Sequence, residues 1–150
     1  MSEESKADAL LRVCREQFKN LANQAYCNYF VDNVARELGY KSFVGRTAND
    51  IVDYLDVSWP EVSGKEAAVF ASWGHFLIAG LRSWEYKRPQ HTNGHGHVAV
   101  VISGPLYLGK YPMVYCGGAR MAGRSNGTKS SGEVWKKEDR DQVHYYKAPW

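Results

Sequence analysis

Two side chains in this sequence have the types and setting of a nucleophile and its base. Cys27 opens a helical run after the small, polar stretch Asn20 to Ala25, and His97 heads the segment Gly96-His97-Val98-Ala99-Val100-Val101-Ile102-Ser103-Gly104. A cysteine in the first turn of a helix feels the partial positive charge of unpaired N–H groups. This favours the thiolate and brings its pKa below the free value of about 8.5. An imidazole beside it completes a thiolate–imidazolium pair, an activated nucleophile for acyl transfer. The backbone N–H of Cys27 and one neighbouring donor would hold the oxyanion formed at the attacked carbonyl.

A third group is needed to orient the imidazole. Cys116 lies on the strand expected beside that of His97, and its carbonyl, its thiol or the Tyr115 hydroxyl could accept the Nδ1–H bond. Asn28 and Asp141 are harder to place. Cys116 also suits a buried core thiol, and Cys14 falls on an apolar helical stripe as a small hydrophobe. Cysteine on an early helix and histidine on a later strand is the chain order of papain-like enzymes. A rival reading gathers His75, His91, His95 and His97 with Cys116 around zinc. His95 and His97 are spaced to point the same way on an extended segment. Against it, His91 and His95 fall in a loop, and no HExxH helix is present. Among the plentiful aromatics, Trp73, Trp84, Tyr107 and Tyr115 are candidates to line a cleft.

The elements that must position this pair follow from the hydrophobic pattern. Leu10, Val13, Cys14, Phe18 and Leu21 recur at helical spacing, and a second helix runs from Cys27 to Leu38, with Gly39 as its C-cap. Thr47 and Asp50 make a capping box for a third helix, which Trp59-Pro60 ends. A short helix from Ser63 or Gly64 reaches Phe70. The period then changes to that of strands, at His75–Gly80, Val98–Ile102, Met113–Cys116 and Val143–Lys147, with Val134-Trp135 as a short addition. The β-branched run Val98–Ile102 predicts a central strand buried on both faces. Residues 82–96 and 119–133 read as loops. Helices first and strands after predict an α+β fold, N-terminal helices packed on an antiparallel sheet, in a single domain over residues 1–150.

Composition sets the remaining bounds. Nineteen Lys and Arg against sixteen Asp and Glu leave a net charge of +3, without a basic run that would point to nucleic acid. Three cysteines and no CxxC pair argue against a zinc ribbon or a thioredoxin motif. No apolar stretch nears the roughly 20 residues that cross a bilayer. The acidic, polar start lacks the features of a secretory signal, so the expectation is a protein made in the cytoplasm and exported, if at all, by a route that reads no cleavable leader.

Three blocks together resemble the first family of type VI secretion amidase effectors: Cys27-Asn28-Tyr29-Phe30-Val31 running to Glu37-Leu38-Gly39, GHVAVVISGPLYLGKYPM at 96–113, and GEVWKKEDRDQVHYY at 132–146. Phe76–Leu81 fits as well, so the likeness spans most of the chain from Cys27 to Tyr146. It implies an NlpC-type, papain-like fold and a cysteine amidase that cuts the γ-D-glutamyl–meso-diaminopimelate bond of the peptidoglycan stem, without a cofactor or metal. Cys27 takes the nucleophile position, His97 the base position, and Cys116 that of a third member. The resemblance also implies delivery by the secretion apparatus, action in the periplasm of a recipient Gram-negative cell, and an immunity protein in the producing cell. The chain departs from the family pattern at Asn28, where a small serine commonly follows the nucleophile, and in the long, histidine-rich loop Lys87–Gly96. A non-catalytic module that docks on peptidoglycan or a protein is the alternative, and the same pair also suits acyl transfer to an acceptor other than water.

Overall fold

The computed structural model describes residues 4–118 and 123–149. The chain runs α1 (Lys6–Gln17), α2 (Leu21–Ala25), α3 (Cys27–Glu37), α4 (Ala48–Ser58), β1 (Glu61–Val62), α5 (Gly64–Ser72), β2 (Leu77–Leu81), β3 (His97–Val101), β4 (Met113–Cys116), β5 (Ser125–Ser130), α6 (Ser131–Val134) and β6 (His144–Lys147). The expected α+β architecture is present. Six strands form one antiparallel sheet in the order β1-β6-β2-β3-β4-β5.

β3 lies in the middle because its residues tolerate burial on both faces. Val98, Val100 and Ile102 point to one side, with Ile78, Tyr115 and Tyr146, under the apolar stripes of α1, α3 and α4. Ala99 and Val101 point to the other side, with Leu77, Leu81, Val114 and Cys116, under α5, Val134 and Trp135. This alternation follows from the two-residue repeat of a strand. Each buried Val, Leu or Ile contributes about 1.5–3 kcal/mol.

The capping box of α4 is formed as its sequence predicts: Asp50 N–H donates to Thr47 Oγ1 at 3.2 Å, and Thr47 N–H to Asp50 Oδ2 at 3.3 Å. Ser63 and Glu66 make a second box at the start of α5.

Several boundaries differ from the sequence reading. Within Asn20 to Ala25, Leu21–Ala25 is a short helix, because Asn20 Oδ1 caps it by accepting from Ala22 N–H at 2.8 Å. Within the segment 119–133, β5 and α6 replace the expected loop, while residues 119–122 lie outside the described residues. Ser-Asn-Gly-Thr-Lys-Ser is a polar edge strand that buries only its two terminal serines, which is why it lacks a strand's apolar alternation. Val134 ends α6 and Trp135 caps it, so the pair is not a strand.

Candidate active site

α3 begins without the usual polar cap. Its N-cap is Tyr26, which makes no side-chain capping bond, and no acidic residue stands in the first turn. The first N–H groups of the helix are therefore left for other partners. The segment just before it is fixed to the end of β4. Gly118 N–H donates to the Gln24 carbonyl at 2.9 Å, and Gly117 passes so close that a Cβ there would lie 1.8 Å from the Asn23 carbonyl oxygen. Asn23 is buried and braced from three sides. Its amide donates to the Gln17 carbonyl and side chain at 3.0 and 3.2 Å, and its oxygen accepts from Asn33 Nδ2 at 2.8 Å. The start of α3 is thus held in register with the mouths of β3 and β4.

Cys27 is half-buried, and its sulfur receives the backbone N–H groups of Val98, Asn28 and Cys27 itself. The Val98 contact puts the sulfur at the head of β3, one residue from His97. A charge on the sulfur would be felt by Tyr86 and Cys116, so the nucleophile candidate, the histidine strand and the second cysteine share one end of the sheet.

His97 points to the face of the sheet opposite the α3 core. Its ring meets Trp135 edge to face, with centroids 5.1 Å apart. Nε2 is sealed from solvent and has no hydrogen-bond partner among the described residues. Gly123 stands against that edge, where a Cβ would lie 3.8 Å from Cε1 and 4.0 Å from Nε2. The Gly123 carbonyl in turn accepts from the Cys116 thiol at 3.3 Å. Burial holds the imidazole down at about 4, and the Gly123 carbonyl acts weakly in the other sense. Burial pushes the Cys27 thiol up, against the three N–H groups. The dry setting therefore favours neutral thiol and neutral imidazole at rest, in place of the expected thiolate–imidazolium pair. Such a pair can still react: the imidazole takes the thiol proton as the sulfur attacks, and N–H groups at the helix end face the new oxyanion.

The other candidates fall elsewhere. Tyr115 turns into the opposite core, where it packs on Phe18 and Phe30. Asn28 Nδ2 donates to the Arg46 carbonyl at 3.0 Å. Asp141 accepts from Tyr111 and pairs with Lys110, remote from β3. His75 packs with Phe70 and Trp73, and His91 and His95 are exposed on the 82–96 loop. Among the described residues, no three His, Cys, Asp or Glu side chains converge as metal ligands. Of the proposed cleft aromatics, Trp73 joins that Phe70 group, Trp84 stacks on Arg82 and Tyr107 on Tyr111.

Sequence reasoning missed Trp135, Tyr86 and Gly123. Trp135 Nε1–H donates to the Tyr86 hydroxyl at 3.0 Å, joining the segment after α6 to the loop after β2 beside His97. No spacing rule links residues 86, 97, 123 and 135. Only the closing of the sheet brings them together.

No family model matches the chain. Over 126 residues it is 48% identical to the peptidoglycan amidase Tse1 of Pseudomonas aeruginosa, an alignment covering 83% of this chain and 75% of that protein.

Proposed function

The chain belongs to the type VI secretion amidase effector family, and from that membership we propose that it is a cysteine peptidoglycan amidase with Cys27 as nucleophile and His97 as base. The observation that carries the assignment of residues is the Cys27 sulfur at the Val98 N–H, next to the histidine that heads the central strand β3. In this reading the sulfur attacks the γ-carbonyl of D-glutamate in the stem peptide. Nδ1 of His97, the ring nitrogen not closed against Gly123, takes the thiol proton. The N–H groups of Cys27 and Asn28 hold the oxyanion. His97 then protonates the departing amine of meso-diaminopimelate, and a water deprotonated by the same nitrogen releases the thioester as a carboxylic acid. Cys116 is the third member, acting through the Gly123 carbonyl as a positioning residue.

The partners follow from the same membership: the secretion apparatus that delivers the protein, the recipient's periplasm as the place of action, and an immunity protein that covers the cleft in the producing cell. No described helix is long and apolar enough to cross a membrane.

The test is a muropeptide digest read by mass spectrometry, wild type beside Cys27→Ala and His97→Ala. New fragments ending in D-glutamate with wild type alone are the expected result. Cleavage by Cys27→Ala would overturn the assignment. Loss of activity with iodoacetamide and its retention with a chelator would separate thiol chemistry from the zinc reading. Intact muropeptides in every sample would favour a binding module.

A further inference from the structure

Tyr26 and Tyr29 bracket Cys27 in the sequence, and neither is used by the chemistry above. Tyr26 occupies an N-cap position, where Ser, Thr, Asp or Asn would stabilise the helix, and it makes no capping bond. Tyr29 stands on the third residue of α3, turned about 200° from the thiol by the helical repeat. Both side chains are about half exposed, at 53% and 50%, and their rings lean on each other, with centroids 5.1 Å apart and planes at 51°. Two adjacent large aromatics left open on one helical turn form a patch, unlike a single exposed residue. The first turn carries no acidic or basic side chain, so its surface is neutral as well as aromatic.

We infer that Tyr26 and Tyr29 form a platform for a neutral pyranose ring, the N-acetylated sugar that carries the stem peptide. The inference rests on the amidase reading above. Phenol rings offer flat apolar faces to the C–H faces of a sugar, and their hydroxyls can bond the ring substituents. A stem peptide is rich in carboxylates and would find no cation on this turn, whereas an uncharged sugar loses nothing there. The distances agree. The two residues on the acyl side, one of them γ-linked, and the ether arm that joins them to the sugar span eleven bonds, about 13 Å when extended, and a helix with its side chains is about 10–12 Å across. A substrate whose carbonyl sits at the inward-facing thiol therefore brings its sugar to the outward face of the same turn. The glycan stays on the acyl half of the substrate, so the platform holds it through the thioester stage.

The experiment compares two substrates of the purified protein: a stem peptide without sugar, and the same stem on its disaccharide. Tyr26→Ala/Tyr29→Ala should lower kcat/KM on the disaccharide substrate about tenfold more than on the bare peptide, chiefly through KM. Tyr26→Phe/Tyr29→Phe, which keeps the rings, should recover most of that selectivity. An equal loss on both substrates would overturn the proposal and make the pair a support for Cys27. No loss on either would also overturn it and leave the rings to a protein partner. If wild type cleaves neither substrate, or Cys27→Ala cleaves both, the amidase assignment fails instead. In that case, titration of the wild-type protein with N-acetylglucosamine oligomers decides the platform alone: tyrosine fluorescence that responds in wild type and is silent in the double alanine variant supports it, and no response in wild type sinks it.

Discussion

The indole of Trp135 stands at 73° to the imidazole of His97, and its own orientation is fixed by the 3.0 Å bond from Nε1–H to the Tyr86 hydroxyl. The histidine therefore has its ring plane set by an aromatic edge on one side and by Gly123 on another. Trp135→Phe, which keeps an edge and removes the anchoring bond, should lower kcat several-fold with a small change in melting temperature. Trp135→Ala should lower kcat by about 100-fold, since misplacing a catalytic group by an ångström has effects of that order. It should also cost about 3–5 kcal/mol of stability. Steady-state rates on muropeptide with parallel thermal melts check both.

The Cys116 thiol spends its proton on the Gly123 carbonyl rather than on the imidazole. Cys116→Ser can make the same bond and should keep most of the activity. Cys116→Ala removes it and should lower kcat about tenfold, with KM little changed. Equal rates for the two variants would show that the bond has no part in positioning His97.

Because burial holds His97 down at about 4, its imidazole, the base in the proposed mechanism, stays neutral through mildly acidic solutions. The profile of kcat/KM against pH should be flat on its acid side down to about 5 and fall toward about 4, where protonation removes the acceptor for the Cys27 proton. An acid limb at the ordinary imidazole value would show a solvated ring.

His144 ties three elements together: Nδ1 meets Glu61 at 3.0 Å and Nε2 meets Glu85 at 2.6 Å, while its ring stacks on Tyr146, which bonds Asp56. Arg82 completes the cluster, bound to Glu85 and Asp53 at 2.8 Å. Burial alone would lower His144, but the two carboxylates outweigh it and raise it. Burial likewise opposes ionisation of Glu85, yet Arg82 and His144 hold its carboxyl at about 2. The His144 contribution is complete below about 6.5 and is lost as pH rises through its raised value. The Glu85 contribution is complete above about 4.3 and is lost as pH falls toward 2. The melting temperature of wild type should exceed that of His144→Gln by a few degrees at pH 5–6, for about 1 kcal/mol in a domain of this size. The gap should close by pH 9. A gap constant across that range counts against the charged clamp.

A methyl group at Gly117 has nowhere to go, being 1.8 Å from the Asn23 carbonyl oxygen. Gly117→Ala should cost about 3 kcal/mol or more by overpacking. What activity survives should fall further than the unfolded fraction explains, because the displaced segment leads directly into Cys27. Activity per folded molecule, measured beside a denaturant melt, separates the two effects.

Cys27 at a helix start was legible because the stripe Phe30, Val31, Val34, Ala35 has a helical period that stops at Gly39. The β3 strand was legible because five branched or small apolar residues in a row fit only a doubly buried strand. β5 was not, since an edge strand facing water on most of its length has no apolar pattern to read. The resting protonation of Cys27 and His97 depends on burial as well as on the helix N-terminus. A helix N-terminus is visible in a sequence, while the burial that opposes it is not: Trp135, for one, reaches the His97 ring from a distant part of the chain.

Asn49 on α4 receives Ser83 N–H at 2.9 Å on its oxygen, and its amide donates to Ser83 Oγ and to the Gly94 carbonyl, both at 3.1 Å. One side chain thus clasps the two ends of the segment between β2 and β3. Glu85, Tyr86, Lys87 and Arg88 are tied to His144, Trp135, Asp139 and Glu138, but the tip Pro89–Thr92 beyond them hangs from that clasp as an interchangeable part. Residues can be added, removed or replaced there while His97 keeps its place at the head of β3. The same catalytic frame can accordingly acquire a different rim by changes confined to this stretch, making it a natural point for grafting new substrate preferences onto the enzyme.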